Sequence, residues 1–105
     1  MGLDVHIFTT SKTSAAKLTL NDTGKDSDLT GIYSRPQRMK YKGFPIKELF
    51  YARNDWALLD ALGLNCGSLP PVSRLLGADC KSLKVGNMIR EALKQGKGVF
   101  IYCSY

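Results

Sequence analysis

"GVFIYCSY", residues 98–105, ends the chain on a nearly unbroken apolar run. Val99, Phe100, Ile101 and Tyr102 offer bulk to both sides of an extended backbone, because successive strand residues point to opposite faces. Such a strand needs both faces covered, so the run predicts a strand near the centre of a sheet. The start of the chain reads differently. In "LDVHIFTT" (3–10), Leu3, Val5 and Ile7 alternate with Asp4, His6 and Phe8. That period of two predicts a strand with one well-defined core face.

Between these two strands the punctuation is mixed. "AKLTL" (16–20) repeats the alternation more weakly, and "NDTGKDSD" (21–28) reads as a solvated loop of turn-forming residues. "TGIYS" (30–34) predicts a short strand before Pro36. "IKELFYARNDWALLDALG" (46–63) predicts a helix, with Ala52, Trp56, Leu59 and Leu62 as its buried stripe and Gly63 as its stop. "SLPPVSRLLG" (68–77) predicts a second, short helix, with prolines in its first turn and Gly77 beyond its end. In "SLKVGNMIREALKQG" (82–96), Val85, Met88, Ile89, Ala92 and Leu93 fall at i, i+3, i+4, i+7 and i+8. That is one face of a helix, closed by Lys94 and Gly96.

Strands, then helices, then one strand returning into the sheet predict an α+β fold. Its expected form is a small, mainly antiparallel or mixed sheet with two to three helices on one face and the C-terminal strand central. The 105 residues are enough for one continuous core and too few for two, so 1–105 reads as a single globular domain.

The formal net charge of +6 favours an anionic partner through long-range attraction without bearing on fold. The chain has no run of eighteen apolar residues and no basic-then-apolar opening, so neither a membrane span nor a secretory signal is expected, and the expected location is cytoplasmic. Cys66, Cys80 and Cys103 are odd in number and widely spaced, which predicts reduced thiols rather than a disulfide framework or a zinc site.

Catalytic signatures are sparse. The sequence contains no phosphate-binding loop, dinucleotide fingerprint or paired-histidine metal motif. Asp4 and His6 share one side of the first strand, and a carboxylate beside an imidazole can orient it as a general base. The plainer reading is the polar face of a half-exposed strand. Asp22, Asp26 and Asp28 lack the spacing and closing Glu of a calcium loop, so no metal and no cofactor is expected.

"SRPQRMKYKGF" (34–44) carries four cations and no carboxylate. As a strand it would set Arg38, Lys40 and Lys42 along one face, supported by Arg35, with Met39 and Tyr41 on the other. Cations interleaved with Tyr33, Tyr41 and Phe44 are what single-stranded nucleic acid recognition uses. Lysines guarding an edge strand, with Met39 and Tyr41 packed inward, would give the same pattern. Arg53, on the predicted helix, joins the candidate partner-binding set of Arg35, Arg38, Lys40, Tyr41 and Lys42.

The opening Met1 to Asp4, the "YARN" of residues 51–54 and the terminal "FIYCSY" together resemble a group of small proteins encoded by bacterial viruses and prophages, with Ala52 standing where the group carries an aromatic residue. The resemblance implies a compact viral accessory protein of the kind that binds a host enzyme. The leading expectation is therefore a small non-enzymatic binding protein that offers a basic face to an anionic protein surface, such as that of a host nucleic-acid-handling protein. A direct single-stranded nucleic-acid binder is the alternative, and a small enzyme using Asp4 and His6 is the second alternative.

Overall fold

The computed structural model describes residues 3–31, 39–64, 70–77 and 83–104. In chain order these form β1 (Asp4–Thr10), α1 (Lys12–Ala16), β2 (Thr23–Gly24), a 3-10 turn (Asp26–Asp28), β3 (Leu29–Thr30), β4 (Lys40–Tyr41) and β5 (Phe44–Arg53). They continue with α2 (Trp56–Ala61), β6 (Val72–Leu75), α3 (Leu83–Lys94) and β7 (Gly98–Ser104). The sheet runs β2-β6-β7-β1-β5-β4-β3. Every pairing among the described residues is antiparallel. The α+β expectation is met, with β7 and β1 side by side in the middle of the sheet.

The strand order forces a curl. β2 and β3 lie at opposite ends of the sheet, yet only the four residues 25–28 separate them in sequence. A chain that short cannot cross a flat sheet of strands spaced about 4.8 Å apart, so the two edges must approach each other. Tyr41 of β4 reaches across to β2, where its hydroxyl donates to Asp22 Oδ2 at 2.5 Å. Lys42 Nζ donates to Asp22 Oδ1 at 2.9 Å and to the Thr23 carbonyl at 3.0 Å. Gly24 has to be glycine here: a Cβ would sit 2.7 Å from Cε1 of the Tyr41 ring.

Curling gives the sheet an inner and an outer face, each with its own apolar cluster. Phe8, Tyr41, Phe100, Val72, Met39 and Ile46 fill the inside. Phe8 stacks on Phe100 at 5.5 Å, and Tyr41 tilts against both rings. On the outside, Val5, Ile7, Val99 and Ile101 pack with Leu59 of α2 and Ile89 of α3. α2 and α3 therefore cover one face. α1 covers the other side, where Ala15 lies close to Gly98 and Phe100. Arg74 of β6 holds it there through three bonds from Nη1 to the carbonyls of Ala15, Leu18 and Thr19.

α3 follows its predicted stripe, with Val85, Ile89 and Ala92 buried. Met88 departs from the expectation and is only partly buried. Gly96, at φ +81°, ends the helix, with Gly96 N–H donating to Leu93 O and Lys97 N–H to Ala92 O. That pair of bonds is the Schellman arrangement that a left-handed glycine permits.

Three expectations are corrected. The helix predicted over 46–63 is strand β5 up to Arg53, followed by the short α2. A bulge opposite Ile7 and Phe8 inserts one residue into β5, so Ile46, Leu49 and Phe50 acquire the three-and-four spacing of a helix. Asn54 at φ +57° breaks the strand, and Asp55 caps α2 by accepting from Leu58 N–H at 3.1 Å. Trp56, expected in the core, is 49% exposed at the start of α2. The helix predicted over 68–77 is strand β6, whose Val72 and Leu75 enter opposite clusters. The strand predicted over 16–20 is absent: Ala16 ends α1, which Ser11 caps through Ser14 N–H, and residues 17–20 form the turn after it.

Candidate functional site

The polar side of β1 is not a half-exposed surface. His6 is 5% exposed, lying between the rings of Tyr51 on β5 (4.6 Å) and Tyr102 on β7 (5.8 Å). The β1–β5 and β1–β7 registers place both tyrosines directly opposite it. Its carboxylate partner is Glu48, not Asp4: His6 Nδ1 lies 2.7 Å from Glu48 Oε1. With Glu48 ionised, Nδ1 carries the proton and donates it to this bond. Asp4 instead accepts from the Tyr51 hydroxyl at 3.0 Å. The candidate Asp4–His6 pair is thus replaced by two crossed pairs, His6–Glu48 and Asp4–Tyr51, and the imidazole is covered by aromatic rings. Such a histidine holds β1 and β5 together; it has no open face to offer a substrate.

Asp22, expected in a solvated loop, is 7% exposed and fully engaged by Tyr41 and Lys42. Burial first, and then the bond to the Asp22 carboxylate, push the Tyr41 phenol far above its ordinary value. The phenol therefore stays protonated and donating at neutral pH and beyond the ordinary tyrosine range.

The basic stretch is rearranged by one turn. Lys42 (φ +51°) and Gly43 (φ +83°) both lie in the left-handed region and form a two-residue connection between the paired Tyr41 and Phe44. Two positive φ values in succession are the requirement of a type I′ hairpin. Lys42 therefore leaves the strand face and turns toward Asp22. Tyr41, expected to be available to a partner, is fully buried and cannot stack on one. Tyr41 and Met39 do pack inward as the guarded-edge reading expects, but β4 is no edge strand: it lies between β3 and β5, paired with both. Arg35 and Arg38, with Tyr33, lie outside the described residues, as do Cys66 and Cys80. Cys103 is buried in the outer apolar cluster. Arg53 is exposed at the end of β5, opposite Asp4.

Lys40 remains exposed, and the fold gives it neighbours that the sequence did not suggest. It pairs with Pro45 across the hairpin, and Lys47 follows two residues along the same face of β5. Pro45, Lys47 and Lys97 line a depression of about 260 Å³ together with Thr9, Thr10 and Ser11. The aliphatic chain of Lys12 lies against Gly96, beside Lys97. Four lysines from four segments thus converge where β1 ends. None of them enters an ion pair among the described residues, where the two such contacts are His6–Glu48 and Lys42–Asp22.

A second groove, of about 510 Å³, adjoins this depression and shares Thr9, Lys47 and Lys97 with it. It runs between α3 and β5. Among the described residues, no helix is long and apolar enough to cross a membrane. Comparison with protein-family models, with curated proteins and with solved structures finds no match for the chain.

Proposed function

We propose that this chain is a small non-enzymatic binding protein that presents a basic end, formed by Lys12, Lys40, Lys47 and Lys97, to an acidic surface on another protein. The observation that carries this reading is a hydroxyl-lined depression with Lys47 and Lys97 in its lining, Lys40 opposite its Pro45 and Lys12 against the neighbouring Gly96, with no carboxylate paired to any of the four among the described residues. Uncompensated like charges on a folded surface raise the local potential and steer an anionic partner into place. The covered imidazole of His6 supports a binding role over catalysis.

The choice of a protein surface over single-stranded nucleic acid rests on Tyr41. Strand binders alternate cations with exposed rings on which bases stack, and the ring nearest these lysines in sequence is buried. In the setting implied by the viral resemblance, the partner is a host protein, with one that handles nucleic acid as the natural acidic target.

The test is an affinity pull-down from bacterial lysate with and without nuclease, using the native chain and a Lys40→Ser/Lys47→Ser/Lys97→Ser variant of unchanged fold. One protein recovered under both nuclease conditions, and lost with the variant, is the expected result. Full retention by the variant at physiological salt would refute the basic-end reading. Nuclease-sensitive recovery would transfer it to nucleic acid.

A further inference from the structure

The groove beside the basic end is graded in polarity, and its two walls are graded in the same direction. On α3, Asn87 and Gln95 bound the wall, with Met88 and Ala92 one turn apart between them. Those eight positions span roughly 12 Å at about 1.5 Å of rise per residue. Past Gln95 the chain reaches Lys97, which also lines the basic depression. On β5, Lys47 stands at that same end and Leu49 lies two residues farther along. Both walls therefore pass from a cation to apolar side chains. Leu49 and Met88 are each only partly buried, which leaves apolar surface in the lining.

Thr9 stands at the junction, lining groove and depression alike. Alternation along β1 puts it on the face of Val5 and Ile7, the side that α3 covers. Thr9 is 8% exposed, and among the described residues its hydroxyl meets the Lys47 carbonyl at 3.5 Å, the outer limit of a hydrogen bond. A donor so weakly engaged can turn to a ligand oxygen at little cost. Glu48 also borders the groove, but its carboxylate bonds His6 on the opposite face of the sheet. Glu91 is then the carboxylate of the lining to weigh against Lys47 and Lys97, and it accepts from Gln95 Nε2 at 3.4 Å. Two cations against one carboxylate suit a monoanion whose charge sits at the lysine end.

We infer that the groove is a binding site for a small amphiphilic carboxylate. Its apolar body would lie on Leu49, Met88 and Ala92, and its carboxylate would be held by Lys47, Lys97 and the Thr9 hydroxyl. The groove volume of about 510 Å³ falls within the roughly 300–1,000 Å³ of small-molecule sites. An unbranched body of medium length suits the α3 wall, and the flexible, polarisable side chain of Met88 adapts to such a chain. This goes beyond the basic-end reading, and the shared Lys47 and Lys97 make bound ligand and acidic protein surface mutually exclusive.

The test titrates decanoate into the full chain by isothermal titration calorimetry, with acetate (the head alone) and decanol (the chain alone) as comparators. Decanoate should saturate a single site and bind about tenfold or more tighter than either comparator, the equivalent of about 1.4 kcal/mol for each half of the ligand. Met88→Gln keeps the side-chain length and removes its apolar end, so decanoate should weaken about tenfold. Lys47→Ser/Lys97→Ser should erase the preference for decanoate over decanol. Urea unfolding checks that each variant folds. Equal binding of decanoate and decanol, uptake without saturation, or full affinity in either folded variant overturns the inference. Because the isolated chain is titrated, such a failure removes the ligand site alone and leaves the acidic-surface reading to its own pull-down.

Discussion

Replacing Tyr41 with Phe removes one oxygen from the bond that joins the two edges of the curled sheet. The ring keeps its contacts with Phe8 and Phe100, so the packing change is small. What is lost is a 2.5 Å hydrogen bond to a carboxylate that is 7% exposed and retains Lys42 as its remaining side-chain partner. Hydrogen bonds to charged groups contribute about 1.5–3 kcal/mol, and burial favours the middle of that range, about 2 kcal/mol. For 105 residues the unfolding entropy is roughly 0.22 kcal/mol/K, so Tm should fall by roughly 9 °C.

The sign of the pH dependence follows from the raised phenol. The folded Tyr41 keeps its proton at pH values where an unfolded tyrosine, near 10, has released it. Above pH of about 10 the folded state therefore binds more protons than the unfolded one, and stability falls by about 1.4 kcal/mol per pH unit from this group. The contribution is complete below that pH and lost as pH rises. Tyr41→Phe lacks this slope, so the two stability curves should meet near pH of roughly 11.5, where the native advantage of about 2 kcal/mol is spent. Urea unfolding at pH 7, 10 and 11 measures the slope, and thermal unfolding at pH 7 measures the fall in Tm. A Tm within about 2 °C of native at pH 7 would show that the latch contributes nothing and that the reasoning is wrong.

Ile89→Ala should destabilise by about 3 kcal/mol, because Ile89 is fully buried beneath α3. Met88→Asp should cost less than Ile89→Asp by a clear margin, since Met88 lines the groove; equal losses in urea unfolding would mean that the helix face has been misplaced. His6→Ala should cost about 2–4 kcal/mol, because it empties the space between Tyr51 and Tyr102 and strips Glu48 of its partner. A variant with unchanged midpoint would contradict the interlocking role assigned to the imidazole.

What the sequence made legible was whatever a single period could carry. The uninterrupted run at 99–102 belongs to a strand with paired neighbours on both sides, and the stripe of Val85, Ile89 and Ala92 belongs to α3. β5 was misread because the stripe of Ala52, Trp56, Leu59 and Leu62 runs across two elements: Ala52 belongs to the end of β5, whereas Trp56 and Leu59 belong to α2. The boundary between β5 and α2 was nevertheless written in Asn54 and Asp55, a left-handed residue followed by a cap. The curl itself could not be read from any period. It depends on β2 and β3, strands of two residues each, and two residues are too few to show alternation.

The candidate site was hidden by the same hairpin that built it. An Asn-Gly turn would have announced itself, whereas Lys-Gly at residues 42–43 looked like one more step of a cationic strand. Because the chain reverses there, Lys42 serves the fold by neutralising Asp22, and Lys40 is brought beside Lys47, seven residues later in sequence. Lys97 joins them only because the glycine-terminated α3 delivers the chain into β7 next to β1. The positive charges therefore divide by role. Lys42 should behave as a stability residue and Lys40, Lys47 and Lys97 as binding residues. Substitutions in the second group, which make no ion pair among the described residues, should each move stability by no more than about 0.5 kcal/mol. If Lys42→Ser left stability untouched while weakening partner binding as strongly as Lys47→Ser, that division would be wrong, and the basic surface would have to be redrawn to include the turn.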